Sequence, residues 1–148
     1  MITVIQRVSN AHVIVNEETI GEIQKGLLVL VGVFDDDTEK DIDYSVKKVS
    51  NIRIFADNKY NMNLSVKDIG GEVLVVSQFT LCGDTKKGRR PSFIHAAHPE
   101  KGELYYIQFI AGLRNEGLKV ESGQFGALMD VHLNNSGPVT LVIDSKQK

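Results

Sequence analysis

The chain has a single cysteine, Cys82, among its 148 residues, so no disulfide can form within it. That suits a reducing compartment. No apolar run approaches the roughly 18 residues of a membrane helix. The longest, residues 27–33, has the length of a strand. The opening residues, Met1-Ile2-Thr3-Val4-Ile5-Gln6-Arg7, lack the basic-then-apolar layout of a secretory signal. A cytoplasmic protein is the expectation. Charge of one sign is lacking too: 17 basic and 19 acidic side chains leave a net −2, with no global pull on a polyanion. Glycine patterns of the phosphate- and dinucleotide-binding type are absent, as are internal repeats and low-complexity segments.

What remains is the composition of a globular domain, 42% hydrophobic and 24% charged. The length fits one domain over 1–148, able to bury roughly 70% of its extended surface. Residues 2–8 and 11–15 are rich in β-branched side chains and read as two strands joined tightly through Ser9-Asn10. A short strand follows over 19–23. Residues 27–33 and 72–79 are apolar on both faces, as central strands are. Asp35-Asp36-Asp37-Thr38 supplies acidic residues and a cap for a helix carrying Ile42, Val46 and Val49 at helical spacing. Residues 53–55 read as a strand and 56–59 as a turn. Pro99 suits the first turn of a second helix, with Tyr105, Phe109, Ile110 and Leu113 as its apolar stripe and Gly117 as its stop. Strands over 118–121, 129–133 and 139–143 complete about nine strands and two helices. Their non-alternating order predicts an α+β fold.

Five features could carry chemistry. Ser77-Gln78-Phe79-Thr80 sits where a buried strand runs out, a place that holds polar groups rigidly at a rim. Its hydroxyls and amide could bind a carbonyl or a water, or simply satisfy backbone groups. Ser136-Gly137-Pro138-Val139-Thr140 places a proline just before a β run, where its missing N–H is harmless. Prolyl bonds are cis in only about 5–6% of cases, so residue type alone favours a plain trans turn. Lys86-Lys87-Gly88-Arg89-Arg90 puts four positive charges in five residues, a solvated loop or a contact for a phosphate backbone. His95, His98 and Glu100 are too few and too loosely spaced for a metal site, and no metal or other cofactor is expected. Cys82 could be a nucleophile only with a base at hand, and nothing in the sequence supplies its partner.

These pieces occur in a telling order. Ile5-Gln6-Arg7-Val8, Tyr60-Asn61-Met62-Asn63-Leu64, Val75-Val76-Ser77-Gln78-Phe79-Thr80-Leu81, Gly88-Arg89-Arg90-Pro91-Ser92-Phe93, Gly123-Gln124-Phe125-Gly126-Ala127-Leu128-Met129 and Asn135 to Thr140 together resemble the D-aminoacyl-tRNA deacylase family from end to end. The resemblance implies bent, mostly antiparallel sheets in a barrel-like core with two main helices. It implies a homodimer with active sites at the subunit interface. Ser77, Gln78, Phe79 and Thr80 would form the catalytic pocket. Gly137 and Pro138, joined by a cis bond, would enter the partner's pocket, and Arg7 would hold that loop by hydrogen bonds. Phe125 and Met129 would lie near the terminal adenosine of the tRNA.

The implied reaction is hydrolysis of the ester linking a D-amino acid to tRNA, and of glycine mischarged on tRNA(Ala). Ester hydrolysis needs a nucleophile, a proton acceptor and stabilisation of an oxyanion. No His, Asp or Glu lies within 77–80. The family explanation is that the tRNA's own 2′-hydroxyl assists while the protein positions the ester and lends backbone N–H groups. Thr80 as a nucleophile is the rival, and an unactivated hydroxyl would need a neighbouring base. Selectivity would come from excluding the L side chain rather than from recognising the D one.

Overall fold

In the computed structural model, which describes residues 1–147, the first strand sets the plan of the molecule. Strand β1 (Ile2–Val15) is one continuous strand of 14 residues, not two. Ser9-Asn10 is an irregularity within it, not a turn. Val8 faces Asn135 and Ala11 faces Leu133 across the last strand, so β1 takes three steps where its neighbour takes two. That extra residue is a bulge, which bends a strand without ending it. The bend swaps the inward face: Ile5 packs in one core, whereas Val8, Ala11, Val13 and Val15 pack in a second.

Strand β2 (Glu18–Ile23) pairs antiparallel with the second half of β1, and β3 (Gly26–Gly32) with the first half. Helix α1 (Glu39–Asn51) starts at the expected cap, Thr38, whose N–H donates to Asp41 Oδ2 at 2.8 Å in the return half of a capping box. Two short strands follow, β4 (Phe55–Ala56) and β5 (Met62–Leu64). Pairing moves β4 to the end of the expected strand and into the expected turn: Phe55 opposes Leu64, and Ala56 opposes Met62. Strand β6 (Glu72–Ser77) runs parallel to β3 and stops two residues short of the expected end. Phe79–Cys82 instead wind into a 3-10 turn. Helix α2 (Pro99–Asn115) has Pro99 in its first turn and Gly117 just past its end at φ +85. Its buried tyrosine is Tyr106, not Tyr105, which is only half-buried. Strand β7 (Lys119–Ser122) runs parallel to β6, and β8 (Asp130–Asp144) pairs antiparallel along β1.

Among the described residues there are thus eight strands: two expected pairs fused into β1 and β8, and β5 is a strand the sequence reading did not expect. The main sheet runs β2-β1-β3-β6-β7, with β8 also on β1. It curls almost shut: a Cβ placed on Gly21 of β2 would lie 2.7 Å from the Ser122 carbonyl of β7. The fold is α+β with a barrel-like sheet and two main helices, as expected. Two of its strand pairs, β3–β6 and β6–β7, are parallel and joined through the helices. Leu27, Val29, Val31, Val73 and Val75 face the helical layer, while Leu28, Leu74 and Val76 face the barrel interior. This two-sided burial explains the unbroken apolar runs of β3 and β6. The helices approach closely where Gly112 meets Val46: a Cβ there would be 2.7 Å from Val46 Cγ2.

Candidate active site

The buried strand β6 delivers Ser77 to the edge of a cleft of about 680 Å³, a size usual for small-ligand sites. Its walls come from the end of β6 and the following turn, from the 93–99 segment, from the first turns of α2 and from the 125–131 segment. Ser77, Gln78, Phe79, Phe125 and Met129 all line it. Thr80 is exposed just behind the rim, and Gln78 Nε2 donates to its Oγ1 at 2.6 Å. The Gln78 backbone N–H donates to the Val31 carbonyl at 2.7 Å, which fixes the point where the strand becomes a turn. Phe79 is 59% exposed and meets Phe93 edge-on, ring centres 5.1 Å apart. An aromatic left that open at a cleft mouth is not part of the core.

The far wall depends on two glycines. Gly102 leaves room for Phe125, whose Cζ would lie 3.3 Å from a Cβ at that position. Gly123 does the same for Met129 Sδ, at 2.7 Å. Tyr106 braces this wall from beneath, donating to the carbonyl of Val75 at 2.8 Å and in a longer contact to that of Gly123 at 3.3 Å. Burial pushes its phenol up to about 12, with a side-chain hydrogen bond to Ser122 working in the opposite direction, so it stays neutral at physiological pH. Sequence reasoning missed Tyr106; the heptad-like spacing from Gly102 through Tyr106 to Phe109 and Leu113 was the available signal. Among the described residues no carboxylate is on the cleft wall, and His98, the residue before α2, is its only imidazole.

Arg7, Gly137 and Pro138 are not on this wall. They form a second construction on the β1–β8 ribbon. Gln6 opposes Thr140 and Val8 opposes Asn135, so residues 136–139 loop out of β8. Arg7 Nε donates to the Ser136 carbonyl at 2.9 Å, and its Nη1 donates to the Ile54 carbonyl at 2.5 Å. The Asn135 side chain ties the base of the loop, accepting from the Val139 N–H at 2.9 Å and donating to Thr140 Oγ1 at 2.8 Å. The Gly137-Pro138 bond is cis, against the trans form that residue type alone favours. Gly137 sits at φ +133, and both residues are exposed.

Cys82, the His12–His132 pair and the basic loop are not part of the cleft lining. Cys82 is 3% exposed, and its Sγ donates to the Val33 carbonyl at 3.3 Å. Burial pushes its thiol up to about 11, away from thiolate reactivity. His12 stacks on His132 across β1 and β8, ring centres 4.6 Å apart. Lys86, Lys87, Arg89 and Arg90 are exposed.

Residues 4–144 match the family model described as D-Tyr-tRNA(Tyr) deacylase. A D-aminoacyl-tRNA deacylase of Thermotoga petrophila is 59% identical over 99% of both chains. A Bacillus subtilis relative described as an inactive D-aminoacyl-tRNA deacylase is also 59% identical, over 88% of this chain and 99% of its own. The solved structure of a c-Myc DNA Unwinding Element Binding Protein superposes with a TM-score of 0.92 at 40% identity, covering 97% of this chain and 98% of that one. A match that runs from the first strand to the last, at this identity, leaves no part of the architecture to another lineage: the chain belongs to the D-Tyr-tRNA(Tyr) deacylase family.

Proposed function

We propose that this single-domain chain is a cytoplasmic, homodimeric editing hydrolase that cleaves D-aminoacyl-tRNA to free tRNA and the D-amino acid. The observation that carries the reading is the 59% identity, over 99% of both chains, to a D-aminoacyl-tRNA deacylase. The geometry supports it. The cleft presents Ser77, Gln78 and Phe79 on one side and Phe125 and Met129 on the other, a slot for an aminoacyl ester next to a flat base. The Gly137-Pro138 loop stands apart from its own cleft, anchored through Arg7. In the dimer it enters the partner's cleft, lies against the α-carbon of the substrate and excludes an L side chain.

Water adds across the ester: its oxygen bonds the carbonyl carbon, the bond to the ribose oxygen breaks, and that oxygen leaves as a hydroxyl. The 2′-hydroxyl of the terminal ribose carries the proton traffic. Thr80 accepts a hydrogen bond from Gln78, and no carboxylate lines the cleft to activate it, which favours substrate assistance over a threonine nucleophile. The leading N–H groups of the 3-10 turn, at Phe79 and Thr80, lack acceptors within the turn and serve the developing oxyanion. Positioning of this kind is worth several kcal/mol of barrier.

A second reading is a catalytically silent, tRNA-binding dimer, favoured by the relative described as inactive. One experiment separates the two. Deacylation is followed with D-tyrosyl-, L-tyrosyl- and glycyl-tRNA. Cleavage of the first and third and sparing of the second is expected. Sparing of all three leaves the silent dimer. Resistance of glycyl-tRNA alone, while the D-ester is cleaved, removes the exclusion account of stereochemistry.

A further inference from the structure

Beside the cleft and the Gly137-Pro138 loop, four cations remain without a role. Lys86, Lys87, Arg89 and Arg90 project from a loop whose two legs are both cleft wall. One leg leaves the Phe79–Cys82 turn, and the other returns through Phe93, which lies on the lining and against Phe79. Asp84 and Ser92 close the base of the loop with two backbone hydrogen bonds, of 2.8 and 2.9 Å. Gly83 lets Phe93 pack there, since a Cβ would lie 2.8 Å from its ring. The loop is therefore fixed to the cleft rim at its base, while its tip at Gly88, with φ +75, has open space around it.

The charge pattern is directional. Asp84 is the one acid in 84–92, and its Oδ1 is engaged by the Lys86 backbone N–H at 2.9 Å. Among the described residues none of the four cations pairs with an acid. Outside this segment the chain carries 13 basic and 18 acidic side chains, a net −5. A polyanion is repelled by the body and attracted at one place, the rim beside Phe79. A field of that shape raises the on-rate and sets the approach direction of a charged partner.

We infer that Lys86, Lys87, Arg89 and Arg90 hold the phosphates of the tRNA strand just upstream of the aminoacylated adenosine, and so aim the 3′ end into the cleft. This rests on the proposed deacylase function. The four side chains are positioning residues: they touch the phosphate backbone and not the ester.

The test compares the wild-type chain with a variant in which all four are replaced by Gln. These side chains have no acid partner, so the fold tolerates the change, and an unchanged unfolding midpoint confirms it. The readouts are kcat/KM on D-tyrosyl-tRNA across a salt series and affinity for a non-hydrolysable amide analogue of D-tyrosyl-adenosine, which has no upstream phosphate. The expected result is a loss of about tenfold or more in kcat/KM at low salt, a log–log salt dependence shallower by about 1.5–3, and unchanged affinity for the analogue. An unchanged salt slope overturns the inference. So does a parallel loss of analogue affinity, which would make the loop part of the cleft wall only. Should the wild-type chain cleave no D-tyrosyl-tRNA, the deacylase reading fails by itself, and the salt slope for binding uncharged tRNA still decides what the loop does.

Discussion

Replacing Gly137 with alanine tests the assembly that holds the projecting loop. The new Cβ would lie 2.6 Å from Arg7 Nη2, 3.0 Å from Val139 Cγ2 and 3.3 Å from the Val139 nitrogen, at a φ of +133 that side chains rarely adopt. Arg7 has little freedom to retreat, because it donates to both the Ser136 and the Ile54 carbonyls. A hydrogen bond from a charged group is worth about 1.5–3 kcal/mol, and the backbone strain is of order 1–3 kcal/mol. The local penalty is therefore about 2.5–6 kcal/mol. It falls on three exposed residues rather than on the core, so the loop moves and the fold stays. Movement of the loop relieves most of that penalty, and about 1 kcal/mol left over would lower the unfolding midpoint by less than about 5 °C, given the usual 2–4 °C per kcal/mol for a chain of this size. Deacylation kinetics with matched D- and L-tyrosyl-tRNA provide the assay. The D-over-L preference in kcat/KM should fall by at least tenfold. Removing Arg7 first should blunt the effect, since the two changes then share one contact. A Gly137→Ala protein with undiminished preference would refute the claim that this loop sorts the enantiomers.

Three further outcomes follow from the cleft and its supports. His98→Asn should keep kcat within about threefold and leave the pH–rate profile unmoved, because the proposed substrate-assisted hydrolysis would ask no side chain for a base; a loss of about a hundredfold or more would make His98 that base. Tyr106→Phe removes the phenol's bonds to the Val75 and Gly123 carbonyls, of which Val75 keeps the Gly123 N–H, and should cost about 1 kcal/mol in denaturant unfolding, with a raised KM; wild-type stability would show that water replaces the phenol. Burial works against the charge on Asp41, yet hydrogen bonds from the Thr38 N–H, the Ser145 and Thr38 hydroxyls and Lys146 hold its carboxyl well below the usual carboxylate range. A depressed carboxylate contributes stability that is complete above its unfolded value near 4 and is lost as pH falls toward the folded one. Asp41→Asn should thus be destabilised by about 1–3 kcal/mol at pH 7, with the gap to the wild type narrowing steadily as pH falls below about 4; a gap that stays constant down to about pH 2 would contradict the assignment.

Local signals made the helices readable. Thr38 with Asp41, and Pro99 with Gly117, mark their ends through chemistry confined to neighbouring residues. The apolar runs of β3 and β6 were readable for a similar reason, since burial on both faces leaves no polar alternation. What failed depended on distant partners. Ser9-Asn10 has turn composition, yet β8 runs past it on the other side and holds β1 together. The 56–59 turn gave up Ala56 because Met62 lay opposite. Phe79 looked like a strand residue, but the Gln78 N–H bonds the end of β3, and the chain coils away from there. In the cleft, the 77–80 segment was singled out from strand-end polarity. Asn135 and the Ile54 carbonyl were not seen as supports, because one acts across a loop excursion and the other is backbone from 47 residues away.

The bend in β1 has a consequence in time. Its first half lies between β3 and β8, and its second half between β2 and β8. Ile2 pairs with Asp144, so the opening strand meets the closing one almost end to end. During synthesis β1 can take β2 and β3 early, but one flank of it stays open until the Asp130–Asp144 strand has been made. Closure of that long loop is slow in the way that non-local pairing generally is. Until then β1 offers a 14-residue edge to any other extended chain. The nascent protein is most vulnerable to wrong pairing just before β8 emerges, and a chain stopped ahead of Asp130 would stay in that state.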